Sequence, residues 1–442
     1  MLNKKELPKG LNQSIIKEIS KIKDEPKWML DFRLDSYKNF SKLSNPCWGP
    51  DLSDLDFQDI RYYASEGSNV KNWDDVPEDI KKTFERLGIS QQEREMLAGL
   101  STQYESEVIF SQLKERWSSL GIIFENMDVA LKKYPKLFKQ YFSKLIPNRD
   151  NKYAALNSAV WSGGSFVYIP KNVKLEIPIQ TYFRINTENM GQFERTLIIA
   201  EEGSEIHYIE GCTAPQYMTN SLHAAVVEIY VSKDAKVRYS TLQNWSKNVY
   251  NLVNKRAQVE QNGTMEWVDC NIGSKVTMKY PSCILKGDKS KGAMYSLSFA
   301  KDSQHIDSGG KMIHLGKDTK SFIYSKTISK NRGKGVYRGE SSISKKAKNS
   351  QAFVNCEGLI LDDKSKSYSY PLNSINNTTS IIEHEAKISK LSEEKLKYLM
   401  SRGLSEHQAS QLVVSGFVEP IIKDLPMEYT VELEGIIDLF IK

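Results

Sequence analysis

Hydrophobic and polar positions change their period twice along this chain of 442 residues. Up to about residue 150, apolar residues fall at helical spacing or in no regular order. Leu11, Ile15, Ile16 and Ile19 share one face and predict a first helix. EDIKKTFERLG, entered through Pro77 and stopped by Gly88, predicts a second. Ser90 with Glu93 forms a capping box that opens a third. The segment NPCWGPDLSDLDF is turn-rich and reads as an extended arm.

From about 155 to 375 the period becomes two. ERTLIIAEEGSEIHYIEG, HAAVVEIYVSKDAKVRYSTLQNW and NKRAQVEQNGTMEWVD each show a strand, a polar turn and another strand. The turns recur at Asn172, Gly203, Asp234, Asn262, Asp288, Asp318 and Asn349, separated by 31, 31, 28, 26, 30 and 31 residues. Short strands at near-regular spacing, with no helix between them, suit a solenoid in which each coil buries its face on the next. A right-handed parallel β-helix is the expected core; a β-sandwich is the competing arrangement.

The tail returns to helical spacing. Ser392 caps SEEKLKYLMSRG, with Glu393 and Glu394 in its first turn, Gly403 at its stop and Leu396, Leu399 and Met400 on its apolar stripe. Ser405 caps EHQASQLVVSG, with Leu412 and Val413 expected inward. A last helix from about Met427 carries Tyr429, Leu433, Ile436, Ile437 and Phe440. These helices read as a cap on the solenoid or as a docking module. The expected division is 1–150 helical and extended, 151–380 β-helix, 381–442 helical. The mainly-β fold class follows.

Composition narrows the class. Apolar content of 40% supports a substantial core, and 61 basic against 55 acidic residues leave a net charge of only +6, which is no nucleic-acid signature. The Lys-rich tracts 326–334 and 345–348 read as solvated faces or a partner surface. Five cysteines, Cys47, Cys212, Cys270, Cys283 and Cys356, form no CxxC pair and fit a reducing compartment. The start, MLNKKELPKGLNQ, has no signal-peptide core, and no run approaches the about 18 apolar residues of a membrane span. No membrane insertion is expected. GxxxxGK[ST], HExxH and GxSxG are absent, so the chain carries none of these nucleotide-binding or catalytic signatures.

The candidate chemistry lies in Cys356 and, 27 residues later, Glu383-His384-Glu385. A soft thiolate, an imidazole and carboxylates together suit iron, zinc or transferable sulfur. Alternation along a strand puts Glu383 and Glu385 on one face and His384 on the other. A lone cysteine is more often a core residue, and exposed glutamates are more often merely solvated. Cys212, in HYIEGCTAPQY, is expected at a coil edge near His207. Cys270 and Cys283 read as structural, and Cys47 as buried packing of the arm. Arg184 with Asn186, and Gln243 with Trp245, alternate on their strands and either line an internal passage or face outward.

Longer stretches carry a resemblance. NKYAALNSAVWSGGSFVYIPKNVKLEIPIQTYFRINTENMGQFERTLIIAEEG, HYIEGCTAP, LQNWSKNVYNLVNKRA, MEWVDCNIGSKVTMKYP, QHIDSGGKMIH and SRGLSEHQASQLVVSGFVEPIIKDLPMEYTVE resemble the SufB/SufD family of the SUF iron–sulfur cluster assembly machinery. The NCEGL cysteine together with EHEA points to the SufB branch. The resemblance implies a non-enzymatic scaffold. Its implied partners are a SufC ATPase bound by the C-terminal helices, the SufD paralogue or a second SufB, a cysteine desulfurase with a SufE- or SufU-type sulfur carrier, and cluster-accepting apo-proteins. It implies a transient iron–sulfur cluster at Cys356, with Glu385 as the main partner and His384 and Glu383 accessory. It implies sulfur acceptance at Cys212 and a sulfur path through Arg184, Asn186, Gln243 and Trp245. Reduced flavin is associated with the family's complex, although no motif here supports it. The implied setting is the cytoplasm or a plastid-type stroma. An N-terminal cysteine cluster of some members is missing, and serines at 365 and 367 stand where some members have a further cysteine. A carbohydrate-active β-helix would need paired acids along a groove. A purely structural ATPase partner would not need Cys356.

Overall fold

Left-handed turns set the coils of the structure, a computed structural model that describes residues 5–65, 97–185, 189–214, 220–422, 437 and 440. Asn172, Gly203, Asp234, Asn262, Asp318 and Asn349 all have φ between 55° and 70°. The turn expected at Asp288 places its left-handed residue one position on, at Lys289. Asn, Asp and Gly tolerate this conformation, which costs other residues roughly 1–2 kcal/mol. The turns also stack: Asn262 donates to Asp234 Oδ1 at 2.9 Å, and Asn349 to Asp318 Oδ1 at 3.3 Å.

Between these turns run two stacked parallel sheets, which close a solenoid of about seven turns. The first sheet stacks Ile179–Arg184, Glu205–Thr213, Lys236–Trp245, Thr264–Gly273, Lys291–Lys301, Lys320–Lys330, Gln351–Ile360 and Ile381–Lys390. The second stacks Ser165–Ile169, Arg195–Ala200, Val226–Val231, Val249–Val259, the pair Val276–Lys279 and Ser282–Leu285, then His305–His314, Lys334–Ile343 and Lys366–Ile375. Register is unbroken from coil to coil, so each inward position lies on the same position of the next rung. One half of the interior is apolar and aromatic, with Val237, Tyr239, Met265, Trp267, Met294 and Ile323 among its members.

The two ends differ. At the start, Gly99–Tyr104 pairs with Ile179–Arg184, and Glu107–Leu113 turns back antiparallel on it. Trp117 and Phe124 close the core there. These strands fall inside the 1–150 segment read from sequence as helical and extended. At the other end the solenoid continues to Lys390, one strand past the expected boundary at 380, because Ile381–Lys390 keeps the period-two pattern and pairs in register with Gln351–Ile360. Among the described residues nothing covers this last rung, and Leu372, Ile375, Ile381 and Ile388 are exposed on it.

Helices hold the flanks. Gln13–Ile22 begins at the Asn12 cap and buries Ile15, Ile16 and Ile19 as the periodicity predicts, while Leu11 is buried just before the cap. Helix Lys152–Val160 is buried from Tyr153 onward, and Asn157 donates to the carbonyls of Glu194 and Ala224 on successive coils. Arg33, on helix Lys27–Lys42, pairs with Glu25 and donates to the carbonyls of Ala159 and Trp161. In the tail, Ser392 caps Glu393–Ser401 and Ser405 caps Glu406–Ile422 as expected. The longer helix lies on the outer face of the first sheet, where Val414, Val418 and Ile421 meet Leu297, Phe299, Ile328 and Leu359. It does not cap the solenoid. Leu412, expected inward, is exposed, because the sheet takes the Val414–Val418 stripe. Residues 78–88, Ser90, Glu93 and Asn186 lie outside the described residues, as does the last helix apart from Ile437 and Phe440, which pack beside Val414.

Arg195 and Glu228 form an enclosed clamp on this flank. Both are buried, and Glu228 also accepts the N–H groups of Ser143, Leu145 and Ile146. Glu228→Ala strands the Arg195 charge and is expected to cost about 3–5 kcal/mol in chemical denaturation. A change within the about 0.5 kcal/mol of ordinary surface substitutions overturns that role.

Candidate functional site

The inward rows of the first sheet decide where chemistry is possible. One row reads Glu210, Thr241, Asp269, Ser296, Ser325 and Cys356. The next reads Cys212, Gln243, Asn271, Ser298, Thr327 and Gly358. Every one of these residues is buried. Polar groups inside a solenoid are costly unless bonded, and here most are. Lys255 reaches Glu210 at 3.3 Å, and Lys279 reaches Asp269 at 2.7 Å. Thr241 donates to Asp269 at 2.6 Å, Asn271 to Asp269 at 2.8 Å, and Ser298 meets Ser308 of the opposite wall at 3.1 Å. Burial opposes ionisation of Asp269, yet Lys279 and Lys255 hold its carboxyl below the usual range. Burial pulls the Lys279 ammonium down.

Cys356 ends this interior at the second-last rung of its sheet, 4% exposed. Its Sγ lies 3.1 Å from Ser369 Oγ and 3.6 Å from His384 Nε2, and it donates to the Glu385 carbonyl at 3.5 Å. Burial pushes the thiol up, and Glu357 adds to the shift, while the Ser369 contact opposes it. Burial lowers the His384 imidazole, which favours its neutral form with a lone pair to offer. The structure therefore brings Cys356 and His384 together. Glu383 and Glu385 are exposed on the opposite face of the strand, as the alternation predicts. Ser365 is held by Asp362, and Ser367 packs against the Gly358 position.

Cys212 lies deep inside, not at a coil edge. His207, expected beside it, faces the other way and bonds Ser240. The imidazole that does approach is His223, from the opposite wall: Glu194, Cys212 and His223 place one ligand atom each within 4.8 Å of one another. Burial drives the Cys212 thiol well up, with Glu210 and Glu194 adding to the shift, against Lys255 and Lys279. Gln243 is the next rung on Cys212 and donates toward its sulfur at 3.9 Å. Trp245 faces inward and packs on the His223 ring at 4.7 Å. Gly273, at φ 74°, makes room there, since a Cβ would fall 1.6 Å from the Trp245 carbonyl. Arg184 lies in the neighbouring outward row with Thr213 and Asn244. Cys283 is sealed in the core and Cys270 lies under the C-terminal helix, as expected for structural cysteines. Cys47, expected buried, is exposed, because the arm buries Leu52 and Leu55 in its place.

Sequence reading missed Glu194, His223, Asn251, Lys255, Asp269 and Lys279. Glu194 lies between strands Gly191–Gln192 and Arg195–Ala200 and the other five lie in strands, and only the closure of one sheet over the other brings the six together. The one visible signal of those five is a polar residue at the inward parity of a strand.

Known proteins match this sequence along nearly its whole length. Residues 183–417 match the family described as SUF system FeS cluster assembly, SufBD core domain, and residues 95–181 match the SufBD protein N-terminal region. The chain is 56% identical over 430 residues to an iron–sulfur cluster assembly SufBD family protein of Staphylococcus epidermidis, covering 97% of this chain and 92% of the relative. SufBD family proteins of Staphylococcus saprophyticus and Staphylococcus haemolyticus match with the same identity and coverage. The chain belongs to the SufB/SufD family, whose members are non-enzymatic scaffold components of SUF iron–sulfur cluster assembly.

Proposed function

We propose that this chain is the SufB-type scaffold on which a nascent iron–sulfur cluster is assembled at Cys356. The observation that carries this reading is the polar interior that leads from Cys212 to a thiol–imidazole pair at an open solenoid end. The iron and sulfide are cargo. Cys356 supplies a soft thiolate and His384 a neutral nitrogen, a set that holds a cluster less firmly than an all-cysteine site and so favours release. The pairing of Cys356 with His384 supports the SufB branch over SufD.

Sulfur enters at Cys212. A persulfide donor of the desulfurase and SufE/SufU type passes its outer sulfur to the Cys212 thiolate, and the donor leaves as its own thiolate. Gln243, Thr241, Asn271, Ser296, Ser298, Ser325 and Thr327 then line the way to Cys356, in place of the Arg184 position. Asn186 remains part of the proposal from resemblance alone. The open last rung, with exposed Leu372, Ile375, Ile381 and Ile388, is where a SufD paralogue or a second copy would pair its own last strands. Glu383 and Glu385 face outward on that rung and act as ligands or proton acceptors once the partner is in place. The helices from Ser392 dock the SufC ATPase through exposed Tyr398, Met400 and Leu412. Finished clusters pass to apo-proteins. No helix among the described residues is long and apolar enough to cross a membrane, and the bacterial relatives support a cytoplasmic setting.

Anaerobic reconstitution, with iron and sulfide counted per chain, tests the reading. Cys356→Ser is expected to lose the cluster and keep the fold, and His384→Ala to lose part of it. Glu385→Ala is expected to matter only with the partner chain present. Normal cluster content in Cys356→Ser sinks the assignment.

Ser325 occupies the rung just before Cys356 in its row. Ser325→Val fills that row at an overpacking cost of about 1–3 kcal/mol. Persulfide is then expected to accumulate on Cys212 and fail to reach Cys356, as read by mass mapping with iron withheld. Unchanged labelling of Cys356 refutes the internal route.

A chain ended at Leu391 removes both described tail helices and leaves every rung paired. It is expected to keep its β-rich circular dichroism and to lose co-purification with the ATPase. Retained binding at unchanged affinity places the docking surface elsewhere.

A further inference from the structure

The cluster of Glu194, Cys212 and His223 is built more fully than sulfur acceptance at Cys212 requires. Its polarity can be read outward from Lys279. An ammonium only donates, so the Lys279 contact at 3.0 Å fixes Gln243 Oε1 toward it. Asn251 Nδ2 donates to the same oxygen at 2.8 Å, which turns Asn251 Oδ1 toward His223 Nδ1, 2.7 Å away. His223 therefore donates from Nδ1. Its Nε2 is left facing Glu194 Oε1, with which it is directly hydrogen-bonded. Glu194 Oε2 is buried and has no hydrogen-bond partner among the described residues, and Glu194 as a whole is 1% exposed. Among the described residues Cys212 Sγ has only long contacts, at 3.8 Å to Glu210 and 3.9 Å from Gln243.

We propose that Glu194, Cys212 and His223 form a mononuclear site for a borderline divalent transition-metal ion of the ferrous or zinc class, inside the solenoid and separate from Cys356. The donor set is one carboxylate oxygen, one thiolate and one imidazole nitrogen, which suits that class. Metal bonds of about 2.0–2.3 Å need the cysteine side to close and the Glu194–His223 contact to open slightly. The supporting contacts are already in place. The Asn251 amide oxygen takes the other ring N–H of His223, which fixes the tautomer and aims Nε2 as a ligand. Gln243 offers an N–H to the sulfur. The Trp245 ring walls one side.

Charge balances as well. Binding releases the thiol proton and the proton shared between His223 and Glu194. The dication then meets one thiolate and one carboxylate, so the closed site is neutral, which a buried position demands. The neighbouring charges are already paired, Lys255 with Glu210 and Lys279 with Asp269. A cysteine held by the cation is closed to persulfide transfer, so occupancy takes Cys212 out of sulfur chemistry.

The test uses the complete chain, freed of metal and kept anaerobic, with Co²⁺ as the probe. The expected result is a near-ultraviolet thiolate-to-cobalt band with visible ligand-field bands. That signal persists in Cys356→Ser and disappears in Cys212→Ser. Glu194→Gln and His223→Gln are expected to weaken binding by at least about tenfold. In the unaltered chain, Co²⁺ slows alkylation of Cys212 and leaves Cys270 and Cys283 unchanged, a readout that needs no variant to fold. Absence of the band, its survival in Cys212→Ser, its loss in Cys356→Ser, or no protection of Cys212 each overturns the site. Cluster content of Cys356→Ser reports on the scaffold function independently.

Discussion

Parallel register is the constraint on which the rest of this structure depends. Once coil stacks on coil without slip, a residue at one inward position is committed to the company of its equivalents on every neighbouring rung. An apolar row such as Met294, Ile323 and Val354 then buries itself at no polar cost. A polar row must satisfy itself along its own length or across to the facing wall. The row through Thr241 and Asp269 does both, bonding along the rung stack and across to Lys279. Removing one member leaves a neighbour charged and unpaired in a closed space. The interior therefore sorts into largely bonded polar rows and apolar ones.

The same constraint explains the asymmetry of the ends. The first coil is closed by an antiparallel hairpin and by Trp117, and its flank is clamped by Arg195–Glu228 and by helix Lys152–Val160. Among the described residues the last strands keep one edge unpaired, and the inward-parity residues Ala386 and Ile388 are exposed. Local opening is cheapest where buried contacts are fewest. Cys356 lies one rung inside that edge, within reach of His384 on the edge strand itself. Its chemistry is placed near the open edge of the solenoid, whereas Cys212 is enclosed farther inside.

Two cysteines of one interior thus live in different surroundings. Cys356 has a serine hydroxyl, a neutral imidazole and an open rung. Cys212 has two carboxylates, a histidine with both nitrogens engaged and a tryptophan wall. Burial raises both thiols, and more severely at Cys212. A partner that supplies positive charge, a metal ion or a proton acceptor changes Cys212 more than it changes Cys356.

Local rules decided much of this protein from the amino-acid order alone. Left-handed turns select Asn, Asp and Gly, so Asn172, Gly203, Asp234, Asn262, Asp318 and Asn349 marked the coils before any pairing was known. Ser392 and Ser405 announced their helices because a cap acts within one turn. Alternation told that His384 and Glu385 face opposite ways, since that needs only a strand. What alternation does not tell is which parity is inward, or what stands on the far wall. That took the closure of two sheets, which brought His223 rather than His207 to Cys212, set Arg184 on the outer row and laid Val414 rather than Leu412 on the sheet. The shift of the coil boundary to Lys390 and the exposure of Cys47 follow likewise from pairing and packing at long range. Strand spacing and caps are written in short windows of sequence, whereas the chemistry of the interior is written across coils that meet only when the chain has folded.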